Sequence, residues 1–310
     1  MAKKRNLVIG LDGTWNETTT PNPTNVERLL SALRVTGQEQ HYEEGVGTAH
    51  NEALPGGIYG KGLNRQIQGA YRKLRAWFAQ KEWQRDDNNV FIFGFSRGAY
   101  AARRLAGLIN HSGIPAKAKD AELGWHIYLN RDAASAQALK EKGDFFDIKV
   151  AMLGVWDTVK TTTDADFNDH KLPDCVAAGC HALAIDERRK FFPVLHWDAD
   201  PRVTQRWFAG VHCDVGGGYP ETELADITLK WMVDHACYHG LAFKGSYMKA
   251  IRPDSAGEIH DSCQGIWAPL GTKVRSISNT EAIHVSVKER KEKLANYRPG
   301  NVPEDAGYLV

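Results

Sequence analysis

The stretch Asn88-Asn89-Val90-Phe91-Ile92-Phe93-Gly94-Phe95-Ser96-Arg97-Gly98-Ala99-Tyr100-Ala101-Ala102-Arg103-Arg104-Leu105-Ala106-Gly107-Leu108 decides how the whole chain is read. Val90 to Phe93 is a continuous apolar, aromatic and β-branched run, the pattern of a strand covered on both faces. Gly94-Phe95-Ser96-Arg97-Gly98 breaks it, and Ala99, Ala102, Leu105, Ala106 and Ile109 then recur at helical spacing. Ser96 therefore stands at a strand-to-helix corner in a G-x-S-x-G pattern, the nucleophile elbow. A glycine two residues to either side of the serine lets strand and helix approach without a Cβ clash. The bare pentapeptide arises by chance in roughly one chain of this length in ten. The strand before it and the helix after it carry the reading, against that of an ordinary glycine-flanked turn.

Working outward toward the start, Leu7 to Leu11 reads as a buried strand that ends in the polar turn Asp12-Gly13-Thr14-Trp15-Asn16. Thr24 or Asn25 can cap a helix whose Val26, Leu29, Leu30 and Leu33 repeat every three or four residues. His41 to Thr48 reads as a weak second strand. Residues 49–62 are a loose, glycine-rich segment, either a loop over a site or a plain surface connection. Ile67, Ala70, Tyr71, Leu74 and Phe78 mark an amphipathic helix leading into the elbow strand.

Beyond the elbow, Asp120 to Lys142 is a helical stretch without a strand, placed as a cap. Asp147 to Trp156 is a strand ending at Asp157-Thr158. Cys180 to Arg189 looks helical, and Thr204 to Val211 is a strand ending at His212. Ile227, Leu229, Trp231, Met232 and His235 suggest a helix, and the chain past Gly245 reads as irregular wrapping. Strands alternating with helices predict an α/β architecture: a mostly parallel central sheet with helices on both faces. The expected organisation is one domain over 1–310 with cap segments at 49–62 and 113–146.

Ser96, Asp157 and His212 each follow a predicted strand, and in an open parallel sheet ligands sit outside that carboxyl edge. The order serine, acid, histidine is that of the α/β-hydrolases. His212 would take the proton of Ser96 during attack on a carbonyl, and Asp157 would fix the imidazole tautomer. The developing oxyanion needs donors, for which the backbone N–H of Arg97 and one from Gly13 or Thr14 are the candidates. The chain holds twelve histidines, so His196, His260 and His284 are rivals for the base; Asp164, Asp166, Asp198 and Asp200 rival Asp157. Leu54, Ile58 and Tyr59 in the glycine-rich segment and Trp125 in the cap are the candidate acyl-chain contacts. Asp12 and Asp214 fall near the same edge, where either could orient a loop or hold a cation.

Other chemistries fare worse. Gly216-Gly217-Gly218 lacks the spacing of a phosphate-binding loop, and His235 with His239 offers two metal ligands without a third, so neither a cofactor nor a metal is expected. A formal charge of +1 gives no electrostatic case for nucleic acid. The five cysteines have no C-x-x-C spacing and no secretory leader precedes them, which predicts a reducing, cytoplasmic setting. No apolar run approaches the roughly 18 residues of a membrane span. Lipid contact would therefore be peripheral or through the site. Nine tryptophans are many for such a chain, enough to fill a core and line an apolar pocket.

Several blocks together resemble a known family. They are Asp12-Gly13-Thr14-Trp15-Asn16, Gly45-Val46-Gly47-Thr48, the elbow through Ala99, Gly154-Val155-Trp156-Asp157-Thr158-Val159, Ala182-Leu183-Ala184-Ile185-Asp186-Glu187, and Gly210-Val211-His212-Cys213-Asp214-Val215-Gly216-Gly217-Gly218-Tyr219. With His260-Asp261-Ser262, His284-Val285-Ser286-Val287 plus Arg290, and Tyr297 to Pro303, they resemble the α/β-hydrolase family, long known as a domain of unknown function, that includes the phospholipase effectors of bacterial type VI secretion (Tle-type lipases of the first class). The resemblance implies an α/β-hydrolase fold, a triad on Ser96, Asp157 and His212, and action on glycerophospholipid esters. Cys213 departs from the small polar residue expected there. The large membrane-contacting regions of the secreted members are not seen in this chain. A serine carboxyl-ester hydrolase of lipase or phospholipase type is the expected function; an esterase on small soluble esters and a non-catalytic binding or scaffold protein are the alternatives.

Overall fold

The computed structural model of the chain describes residues 5–13, 22–45, 59–80, 88–159 and 170–310, with the backbone alone for 59–61, 88 and 266. In chain order the elements are β1 (Arg5–Leu11), α1 (Asn25–Ala32), β2 (Gln38–Glu43), α2 (Tyr59–Phe78), β3 (Asn88–Phe95), α3 (Ser96–Ser112), β4 (Ile114–Pro115), α4 (Ala121–Leu129), α5 (Ala133–Glu141), β5 (Phe145–Phe146), β6 (Val150–Trp156) and β7 (Gly179–Ala184). There follow β8 (Val203–Phe208), α6 (His212–Gly216), α7 (Glu223–Tyr238), α8 (Gly245–Met248), β9 (Ile283–His284), α9 (Val285–Lys293) and β10 (Tyr308–Leu309).

Eight strands form one sheet in the order β10-β9-β8-β7-β6-β3-β1-β2, every pair parallel. Strand β3, buried from Val90 to Phe95, lies between β1 and β6. From β1 the chain goes outward to β2 and then crosses back to β3 on the other side, so the direction of winding reverses between β1 and β3. That crevice at the carboxyl edge is where open α/β sheets bind ligands.

The two-residue period of the strands sorts the core. Leu7, Ile9, Leu11, Val90, Ile92 and Val150 face α2, α3 and α4 on one side. Val8, Phe91, Phe93, Phe95 and Met152 face α1 and α7 on the other. The α/β-hydrolase-type arrangement read from the sequence is the one observed. Thr24 caps α1 by accepting from the Glu27 N–H.

Four expectations are corrected. Cys180 to Arg189, read as helical, contains β7, all six residues of which are buried between β6 and β8. Its alanines suit the space left by Trp156 and Phe208 in the same core, and pairing on both sides overrides their helical preference. The weak strand placed at 41–48 is β2, which starts earlier. The chain past Gly245 wraps less loosely than expected and adds β9, α9 and β10 to the far edge of the sheet. Finally, the described part of 113–146 is not over the serine. Ser112 Oγ donates to Gly124 O at 2.9 Å, fastening α4 to the C-terminal end of α3. Nearby, Asn110 Oδ1 accepts from Cys175 N, and Cys175 O accepts from Val150 N where β6 begins. These contacts put the segment at the amino edge, a helix length of about 24 Å from Ser96. Of the other cap segment, residues 49–58 lie outside the described residues.

The elbow glycines have the predicted reason. A Cβ on Gly94 would stand 2.5 Å from Gly98 O, and one on Gly98 would stand 2.2 Å from Leu11 O. Backbone atoms cannot yield as a flexible side chain can. Gly98→Ala is expected to destabilise the protein by roughly 3 kcal/mol, measured by chemical denaturation, and a loss below about 0.5 kcal/mol would show that the β1–α3 contact is looser than this packing implies.

Candidate active site

Ser96, at the junction of β3 and α3, has φ of 59° and is 6% exposed. Asp157, directly after β6, has φ of 38° and is fully buried. Left-handed backbone at a serine or aspartate costs on the order of 1–3 kcal/mol and tends to mark functional positions. Of the three non-glycine residues with positive φ among the described residues, these are two. Their loops are joined, since Val159 N donates to Ser96 O at 3.4 Å.

His212 opens α6 after β8 and is 3% exposed. Its Nδ1 donates to Asp157 Oδ2 at 2.6 Å, leaving Nε2 as the ring atom for proton transfer. The imidazole is held by Phe95, the neighbour of Ser96, at 4.5 Å between ring centroids, and by the edge of Phe192 at 5.1 Å. Its backbone N–H donates to Glu187 Oε2 at 3.2 Å. Burial pushes the His212 imidazole below its ordinary value, against the raising influence of Asp157. No hydrogen bond joins Ser96 Oγ to His212 among the described residues; such contacts commonly tighten only around substrate.

Asp157 has further partners. Its Oδ1 accepts from Ala184 N at 3.1 Å and Arg275 Nη1 at 2.6 Å, and its Oδ2 from Arg275 Nη2 at 2.9 Å. Burial alone would raise this carboxyl, but the Arg275 charge and the bond to His212 overcome it and hold it far below the usual carboxylate range. Glu187, buried behind His212, accepts from Arg189 and from Ser262 Oγ at 3.0 Å. Arg189 in turn lies over the Phe192 ring at 3.6 Å. Sequence reasoning singled out none of Arg275, Glu187 and Phe192. Glu187 stood in a resembling block, whereas Arg275 and Phe192 sit in irregular chain with no periodic signal to find them.

The rival histidines are engaged elsewhere. His196 pairs with Glu281 at 3.2 Å, His284 stacks on Phe208, and His260 pairs with Asp214 at 2.6 Å beneath the ring of Tyr219. Asp214 also accepts from Val211 N and so fastens the start of the helix that bears His212. Among the rival acids, Asp200 pairs with Arg202, while Asp164 and Asp166 lie outside the described residues.

At the crevice, Asp12 takes a loop-orienting part. Its side chain accepts from Thr24 Oγ1, from Tyr42 OH at 2.8 Å and from Gly13 N at 2.7 Å. Burial raises its pKa to about 6 against these bonds. The Gly13 N–H is therefore committed to Asp12, which corrects its assignment as an oxyanion donor. Thr14 lies outside the described residues, and Arg97 occupies the first turn of α3 beside Ser96. Trp125, expected to line an acyl groove, is 4% exposed in the core on the α3 side of the sheet, at the far end of that helix. Leu54, Ile58 and the side chain of Tyr59 lie outside the described residues. No helix among the described residues is long and apolar enough to cross a membrane.

A wholly parallel sheet with a serine elbow at its switch point and a buried acid–histidine pair beside it is the arrangement of the α/β-hydrolase fold. The family model of the T6SS phospholipase effector Tle1-like catalytic domain matches residues 5–235, and the chain belongs to that family. It is 24% identical over 246 residues to the uncharacterized protein YEL023C of Saccharomyces cerevisiae, a match covering 68% of this chain and 35% of that protein. A solved structure of an uncharacterized protein from Pseudomonas aeruginosa is similar in fold, with 19% identity, a TM-score of 0.56, and coverage of 79% of this chain and 47% of that one. The Tle1 effector bound to the VgrG spike of the type 6 secretion system matches at 18% identity and a TM-score of 0.42, over 71% of this chain and 52% of that one. The chain thus spans between a third and about half the length of these relatives.

Proposed function

We propose that this chain hydrolyses carboxyl esters of lipids, glycerophospholipids in the first place, through an acyl-enzyme on Ser96. The observation that carries the reading is the buried Asp157–His212 pair set beside the left-handed serine of the elbow. Neutral His212 accepts the Ser96 proton at Nε2 as Oγ attacks the ester carbonyl, while Asp157 holds the Nδ1 proton and stabilises the imidazolium. The oxyanion meets the Arg97 N–H at the positive end of α3. The second donor in this proposal is an N–H of the loop after β1, for which Thr14 outside the described residues is the candidate, the Gly13 N–H being bound to Asp12. Collapse of the tetrahedral adduct returns the proton from His212 to the leaving alcohol, and water then repeats the sequence on the acyl-enzyme to release the acid. Family membership supports the phospholipid as substrate class.

A fluorophosphonate probe tests the activated serine without knowledge of the substrate. Wild-type protein should be labelled, and the rate should fall as the pH drops through the pKa of His212, because only the neutral imidazole can accept a proton. Burial lowers that pKa, so the acid limb should lie below the ordinary 6.5. Absence of labelling in folded protein would refute the serine-hydrolase reading, and an acid limb at or above pH 6.5 would refute the lowered imidazole of His212 as the base. Incubating a lipid extract with the enzyme and following the products by mass spectrometry then identifies the ester cleaved.

A further inference from the structure

Orienting a triad histidine requires one carboxylate oxygen and a fixed carboxylate plane. Here both oxygens of Asp157 are also bound by a buried guanidinium. Arg275 Nη1 and Nη2 lie 2.6 and 2.9 Å from Oδ1 and Oδ2, and the same two nitrogens donate to Ala184 O at 2.8 Å and Phe192 O at 3.0 Å. The first carbonyl ends β7; the second belongs to the residue whose ring packs on His212. Arg275 therefore ties together the acid, the strand beside it and the aromatic wall of the base. It lies beyond residues 5–235, the part matched by the family model.

We propose that Arg275 is a positioning residue of the triad, which fixes the Asp157 carboxylate against His212 and sets the pH at which Ser96 becomes reactive. The inference rests on the Ser96, Asp157 and His212 reading given above. Its physical basis is charge compensation. A carboxylate shared with a guanidinium offers the imidazolium a weaker field than one that faces the histidine alone. The histidine accordingly remains a neutral, competent base to lower pH. The other charged and titratable groups around the pair are Glu187 and Arg189 from the loop after β7, His181 on β7, His196 ahead of β8, and Cys213 on α6. Glu187 and Arg189 bind each other, and His181 Nε2 accepts from Thr158 N at 3.1 Å. None of these five is hydrogen-bonded through its side chain to the Asp157 carboxylate, which leaves Arg275 as its guanidinium partner among the described residues.

The test is the rate of fluorophosphonate labelling of the full chain from pH 4.5 to 9, for wild type, Arg275→Gln and Arg275→Lys, with thermal melts alongside. In Arg275→Gln the acid limb should move to higher pH by about one unit, since removal of a nearby cation raises the imidazole, and the plateau rate should fall. Arg275→Lys should return the limb toward the wild-type position while the plateau stays about 10-fold low, because a point charge does not reproduce the two-pronged grip. A limb that stays in place in folded Arg275→Gln, with the rate lowered equally at every pH, would overturn the inference and leave Arg275 a structural residue. Should the glutamine variant not fold, a lysine variant equal to wild type in both limb and plateau would overturn it as well. Failure of the wild type itself to be labelled would instead bring down the Ser96 reading on which the inference rests.

Discussion

Ser96→Ala should lose ester hydrolysis by at least about 10³-fold while unfolding within about 1 kcal/mol of wild type. The proposed reaction depends on an oxygen nucleophile that alanine does not supply, and the remaining donors and binding surfaces would account for the residual rate. Little stability is at stake. The hydroxyl makes no hydrogen bond to another described residue, and alanine meets the same left-handed backbone at φ of 59° as serine does. Steady-state kinetics on short and long acyl esters, paired with denaturant titrations, measure both quantities. An active Ser96→Ala protein would remove Ser96 from the mechanism, and an inactive one that has lost several kcal/mol would say nothing about the nucleophile until a refolded sample was assayed.

The second large effect combines activity with stability. Asp157→Asn should cost on the order of 10⁴-fold in kcat, because an amide presented to His212 Nδ1 no longer enforces the tautomer that leaves Nε2 basic. It should also cost roughly 3–5 kcal/mol, since Arg275, itself buried, is left with an uncompensated charge. The pH dependence separates this from a general packing defect. The folded pKa of Asp157 lies below its unfolded value of 3.8, so the pair's stabilisation is complete above about pH 5 and is lost as the pH falls toward the folded pKa. Wild-type stability should therefore decline between pH 5 and pH 2 more steeply than that of Asp157→Asn, so that the gap between the two narrows in acid. Parallel curves for the two proteins over that range would show that the Asp157–Arg275 contact contributes no net stability. Near-normal activity in the variant would show that another group orients the histidine.

The parts of this site that could be read beforehand are those whose cause is local. Val90 to Phe95 must be a strand because an unbroken apolar run needs cover on both faces, and the glycines at 94 and 98 are required by backbone atoms a few residues away or on the adjoining strand. The meeting of Asp157 and His212 at one edge was legible because each follows such a run, and a parallel sheet brings the ends of its strands together whatever lies between them. Where local preference and tertiary pairing disagreed, the reading failed. The alanines and leucine of Cys180 to Ala184 suit a helix, yet β6 and β8 offer hydrogen bonds on both sides and the space fits small side chains.

Trp125 shows the limit from the opposite direction. An aromatic residue on a helix after the elbow is equally fit for a groove or for the core, and the choice depends on where α3 ends and what meets it there. Arg275 shows it most clearly. It lies 118 residues from Asp157, in chain without periodicity, and it acquires its role only because the winding of the sheet lays that segment across the ends of β6 and β7. The sequence alone determined the elbow, the order of serine, acid and histidine, and the parallel α/β architecture, since each follows from hydrophobic period and turn chemistry within a few residues. Tertiary structure decided which carbonyls, rings and charges surround the acid and the base, because those contacts join segments far apart in the chain and are selected by packing, which leaves no local trace.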